Sequence, residues 1–187
     1  YLMDSPTELS NFALRTFTVP ARNAGGKTQT LRIAMHHLGT DAELDAYAAG
    51  VEKIVREEQA VFGELPDFEP GYYTFLADYL PWADGDGMEH RNSTVVSGRA
   101  TLANDRVRTV GTAAHEFFHC WNVKRIRPAT LEPFNFEDAN ISGELWLAEG
   151  FTNYYGTLAM LRSGLVEDPV AGAGRFAGAI NGLLLSP

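Results

Sequence analysis

His115-Glu116-Phe117-Phe118-His119 constrains this chain more than any other stretch, because these residues make chemical sense together only on a helix. Residues four apart on a helix share a face, about 6 Å apart along the axis, so two imidazoles there can converge on one zinc ion at roughly 2.0–2.1 Å each. Glu116 sits about 100° round the helix, close enough to take a proton from a metal-activated water without being a ligand. That is the place of a general base in metal-assisted hydrolysis. Val107, Val110, Ala114, Phe118 and Trp121 give the segment a buried side, as expected if the helix floors a cleft. The bare pattern also arises by chance, on the order of once in a few hundred chains of this length, so its context has to decide.

A third ligand is needed. Glu149 interrupts the apolar run Leu145-Trp146-Leu147-Ala148-Glu149-Gly150-Phe151, which would otherwise read as core. A buried carboxylate is expensive without a partner, and a metal is one partner that makes it tolerable. The competing reading puts Glu149 in water on a partly exposed helix. Asn153 lies one turn later on the same face, where it either holds a ligand imidazole by a hydrogen bond or is an ordinary surface asparagine. Two histidines and one carboxylate leave a coordination position open, which is the catalytic pattern and not the closed structural one.

Strand-like segments come first, at 12–19 and 29–35 as a hairpin around Asn23-Ala24-Gly25-Gly26-Lys27, then at about 72–79 and 93–102 flanking a loop Asp84-Gly85-Asp86-Gly87-Met88-Glu89-His90. Helical patterns occupy 40–63, where Thr40 and Glu43 form a capping box and Gly63 offers a stop, and then about 105–122, 143–162 and 169–185. Gly164 closes the third of these, and Asp168 caps the last, with Pro169 as its first residue. Strands before helices predict an α+β fold. His36 and His37 are adjacent on a strand, point to opposite faces and read as structural.

With 15 Lys plus Arg against 24 Asp plus Glu the net charge is -9. An acidic surface repels phosphate backbones and anionic lipid, so neither nucleic acid nor a membrane surface is an expected partner. No stretch approaches the roughly 18 consecutive apolar residues of a spanning helix. A single cysteine, Cys120, cannot form an internal disulfide and leaves the redox compartment open. Localisation is left as soluble, cytoplasmic or periplasmic.

At this point the chain resembles the gluzincin metallopeptidases, and within them the glycyl aminopeptidase family, whose members often carry a PDZ domain. The matching stretches are His-Glu-Phe-Phe-His-Cys-Trp-Asn-Val-Lys-Arg-Ile-Arg-Pro at 115–128 and Leu-Trp-Leu-Ala-Glu-Gly-Phe-Thr-Asn-Tyr-Tyr at 145–155, with Tyr1 to Pro6 and Gly87-Met88-Glu89-His90 also similar. The resemblance implies a thermolysin-like catalytic domain, an N-terminal β-sheet subdomain followed by zinc-binding helices, with its C-terminal helical subdomain truncated. It implies one zinc per chain at His115, His119 and Glu149, with Glu116 as the base. The 29 residues between His119 and Glu149 agree with this family and argue against a plain thermolysin relative.

Gly87, Met88 and Glu89 are similar to the Gly-x-Met-Glu-Asn segment with which related zinc aminopeptidases line the substrate cleft and hold the peptide's free amine. Glu89 is then the substrate-binding carboxylate, set against a plain acidic residue at a strand entrance. His90 stands where those relatives have asparagine. Tyr154 and Tyr155 come too soon after Glu149 to stabilise the oxyanion, so that donor is expected beyond Pro187. Lys124, Arg125 and Arg127 either meet a substrate carboxylate or pair with acidic neighbours in a solvated loop.

Residues 1–10 read as a linker from a preceding domain and 11–187 as a partial zinc peptidase catalytic domain, a piece of a longer protein. The apolar face of the segment 169–185 predicts self-association. A peptide is the expected substrate and aminopeptidase action on free N-termini the leading function. An endopeptidase using the same zinc and a catalytically silent peptide-binding module on the same scaffold are the alternatives.

Overall fold

The computed structural model describes residues 4–135, 137–166, 168, 170, 173, 174, 176–178 and 181. Five strands form one mixed sheet: β1 (Ala13–Val19), β2 (Gln29–His37), β3 (Tyr72–Tyr79), β4 (Asp86–Glu89) and β5 (Ser93–Gly98). Their spatial order is β1-β2-β3-β5-β4. The hairpin β1–β2 is antiparallel, β2, β3 and β5 run parallel, and β4 returns antiparallel along the edge of β5. Three helices, α1 (Asp41–Phe62), α2 (Leu102–Phe118) and α3 (Leu145–Arg162), complete an α+β fold.

The α1 helix starts and stops where its sequence says. Thr40 and Glu43 form the reciprocal capping box, and Gly63 ends the helix at φ 82°, a left-handed conformation that a residue with a Cβ rarely adopts. Leu44, Tyr47, Val51, Ile54 and Val55 on its inner face are fully buried against Leu31, Ile33 and Met35 of β2 and Tyr73 and Phe75 of β3.

The α2 helix is pinned to the same core. Phe117 meets Tyr73 edge-on at 5.0 Å and Phe75 at 5.5 Å, while Trp121, just past the helix, stacks on Phe62 of α1 at 4.5 Å. Truncating a ring packed like Phe117 costs on the order of 3–5 kcal/mol. The metal-motif helix is thus anchored through residues interleaved with the motif itself.

Several expected boundaries move. The strand expected to reach residue 102 ends at Gly98, because Leu102 already opens α2, whose first turn Asp105 steadies by accepting from the Thr101 N–H at 2.9 Å. That helix stops at Phe118 instead of continuing to 122, and the next residues wind into turns. The expected loop 84–90 contains a strand, β4. Val107, expected on the buried side of α2, is 40% exposed. The helix expected over 169–185 lies for the most part outside the described residues, as do Tyr1, Leu2 and Met3.

Candidate metal centre

His115 lies in the last turn of α2 and His119 immediately after it, and their Nε2 atoms stand 3.1 Å apart. Glu149, in the second turn of α3, closes the triangle, with its carboxylate oxygens 3.2 Å from His115 Nε2 and 3.7 Å from His119 Nε2. Four ligands at zinc distances around a tetrahedral centre sit about 3.3 Å from one another. The three edges bracket that value, and two imidazoles with a carboxylate are a donor set zinc favours, so these residues fit the ion. Glu116 Oε1 is 4.0 Å from His115 Nε2, and a Glu116 carboxylate oxygen lies within 4.8 Å of a ring nitrogen of each histidine.

The tautomer of His119 follows from its surroundings. Its Nδ1 lies 2.6 Å from the Asn122 carbonyl, which can only accept, so the proton is on Nδ1 and Nε2 is left bare to ligate. The Asn122 side chain reaches across to α3, where its amide donates to the Leu147 and Ala148 carbonyls, both at 3.1 Å, and to Thr152 Oγ1 at 3.3 Å. One residue therefore orients the second histidine and holds the helix that carries Glu149. The sequence reading missed it; its signal was a polar residue embedded in the apolar turn Cys120-Trp121-Asn122-Val123. Asn153, expected to hold a ligand, lines the cleft beside His115.

Glu149 reaches the cluster by a different route from the expected one. Its side chain is 46% exposed, and Leu145, Trp146 and Phe151 around it are exposed as well. The apolar run is not core, so the cost of burial is not what selects a partner for this carboxylate.

Strand β4 supplies the other wall. Its residues alternate, with Gly87 and Glu89 on the inner side and Met88 outward, 53% exposed. A Cβ at Gly87 would overlap the Glu116 carboxylate; the missing side chain is what lets the strand lie directly over the motif. Thr94, fully buried on β5, donates to the Met88 carbonyl at 2.9 Å and fixes the edge strand there.

Burial, and next the negative charges of Glu89, Glu149 and Asp86, push the Glu116 carboxyl up to about 8. Burial, then the neighbouring His119, lowers the His115 imidazole, while Glu149 and Asn153 oppose the shift. Beside the cluster opens a cleft of about 370 Å³ lined by Thr112, His115, Glu116, Asn153 and Thr157. A larger hollow of about 500 Å³ between Lys27, Asp67 and Arg125 does not touch the histidines.

His115 and His119 at the end of α2 and Glu149 on α3 thus converge on one point beside a mixed sheet. A family model described as M61 glycyl aminopeptidase matches residues 108–182, which include the motif and Glu149. Among solved structures, an aminopeptidase N family protein from Idiomarina loihiensis is 25% identical with a TM-score of 0.64 over 83% of this chain and 26% of that one. An M1 zinc metallopeptidase from Deinococcus radiodurans is 20% identical with a TM-score of 0.53, covering 93% and 33%. A mutant of that enzyme bound to a Tyr-Ser-Ala substrate gives 20% and 0.52 over the same shares. No curated protein matches the chain. The chain is thus similar to M61 glycyl aminopeptidases over its motif region and to aminopeptidase N family structures in its fold. The chain spans about a third or less of the length of these solved relatives. Among the described residues no helix is long and apolar enough to cross a membrane.

Proposed function

We propose that this chain forms the zinc-binding and catalytic part of an aminopeptidase that hydrolyses the first bond of a peptide with a free N-terminus. His115, His119 and Glu149 would hold one zinc, which when bound supplies the Lewis acidity that makes water a nucleophile at neutral pH. The remaining steps belong to the protein. Glu116, raised to about 8, has an affinity for protons close to working pH, and it takes one from the attacking water and returns it to the leaving amine. Asn122 keeps the second imidazole in its ligating tautomer.

The observation that carries the exopeptidase reading is the placement of Glu89. It lies on the inner side of β4, and its charge is felt by both Glu116 and His115. A carboxylate beside the reacting bond is the right partner for a terminal ammonium. The bound Tyr-Ser-Ala of the Deinococcus radiodurans mutant is consistent with a peptide in such a cleft.

The test is Glu116→Gln, an amide of nearly the same shape that cannot accept the proton. It should retain zinc at one equivalent and lose on the order of 10²–10⁴ in kcat, with little change in KM. Turnover near the parental rate would remove Glu116 from the base role.

A further inference from the structure

Lys124 follows the metal-bearing helix by six residues and is 9% exposed. Its Nζ stands between two carboxylates, 3.7 Å from Glu89 Oε1 and 4.0 Å from Asp4 Oδ1, and 5.0 Å from the centre of the Phe134 ring. Asp4 is itself fixed by His90 Nδ1 at 3.0 Å and by the Arg91 N–H at 3.3 Å. The backbone ties the same parts together. The Lys124 N–H donates to the His119 carbonyl at 3.0 Å, and Arg125 Nη1 bridges the carbonyls of Cys120 at 2.8 Å and Arg91 at 3.2 Å.

A path of direct contacts therefore runs from a metal-ligating histidine through Lys124 to Glu89. Burying a lysine is costly, and one carboxylate suffices to offset it. Here two carboxylates share one ammonium, so the group keeps an excess of negative charge that a second ammonium can satisfy. The ion pair also costs Glu89 its freedom to move away from the metal ligands.

Resting on the aminopeptidase reading, we propose that Lys124 is the positioning residue of the amine subsite, with Asp4 as its second carboxylate. Lys124 holds Glu89 at a set distance from His119, so a peptide's terminal ammonium docks at one height and only the first peptide bond reaches Glu116. Lys124 does not touch the reacting atoms; it acts through Glu89.

The experiment compares free-amine and N-acetylated forms of one peptide on the zinc-loaded protein, with kcat, KM and zinc content measured for Lys124→Met, Lys124→Arg, Asp4→Asn and Glu89→Ala. Lys124→Met keeps the stem over Phe134, so it should retain zinc and lose roughly tenfold or more in kcat on the free-amine peptide. KM should stay level or fall, because Glu89 keeps its charge but not its anchor. Hydrolysis of the acetylated peptide should not change, and Lys124→Arg should recover part of the loss. Asp4→Asn, which removes one charge at the rim of the group, should raise KM several-fold on the free-amine peptide alone.

Equal losses on both peptides, or a Lys124→Met variant indistinguishable from the parent, overturn the proposal. If Lys124→Met fails to fold, the absence of a selective Asp4→Asn effect overturns it instead. Glu89→Ala separates the two levels. If it erases the preference for free amines while Lys124→Met changes nothing, the positioning proposal alone falls. If it leaves that preference intact, the aminopeptidase reading falls and takes the proposal with it.

Discussion

Glu58 is fully buried in α1, and neither of its carboxylate oxygens has a hydrogen-bond partner. Burial drives its pKa well above the ordinary carboxylate range. The folded chain therefore keeps the Glu58 proton at a pH where the unfolded chain, titrating near ~4.3, has released it. A raised folded-state pKa makes stability complete below the unfolded value and lost as pH climbs toward the folded one. The slope is at most about 1.4 kcal/mol per pH unit. Glu58→Gln should lack this slope and gain on the parent from pH 5 to pH 8, as urea unfolding at several pH values would show. A stability difference independent of pH would mean that Glu58 does not titrate in this way. The sequence carried a signal for it: the inner face of α1 continues from Val51, Ile54 and Val55 to position 58 at the same helical spacing. A glutamate there reads as solvent-facing until tertiary packing covers it.

At the scale of elements, β4 lays Gly87 and Glu89 against the His-Glu-x-x-His motif. Gly87→Ala should push the strand off α2, because the new methyl would overlap the Glu116 carboxylate. We expect zinc stoichiometry to be preserved and kcat to fall by on the order of 10²-fold, the cost of displacing a reacting group by about 1 Å. Loss of metal in the same variant would show that the strand supports the ligands and not the base. The sequence hid β4, because Asp84-Gly85-Asp86-Gly87 is turn chemistry and only four residues pair, on an edge. By contrast α1 was readable to the residue, since both its cap and its stop are local devices. The motif helix was readable from its period, but not its ends: Trp121 continues the apolar pattern while packing on Phe62 from outside the helix. The convergence of His115, His119 and Glu149 was legible as three residue types at plausible spacing, yet for Glu149 the expected reason, burial, was not the one the fold uses.

For the molecule as a whole, the proposed metal ligands come from the end of α2 and from α3, which pack side by side, so an ion held there would staple the two together. Zinc at 100 times its dissociation constant should stabilise the fold by about 2.7 kcal/mol, seen as a fall in Tm when a chelator is added and restored by zinc. An unchanged Tm would place the metal on surfaces that do not move on unfolding. Asn122→Ala should destabilise the apo protein by about 1–3 kcal/mol through the loss of its buried hydrogen bonds, read as a lower denaturant midpoint. Asn122 sits three residues past His119 and grips α3 at the turn that carries Glu149. The junction between the second histidine and the helix that carries Glu149 is thus clasped by a single side chain. Insertions or deletions within 137–141, away from Lys124, Arg125 and α3, should therefore leave zinc affinity untouched, so that the clasp, and not the number of residues between His119 and Glu149, sets the span of the site.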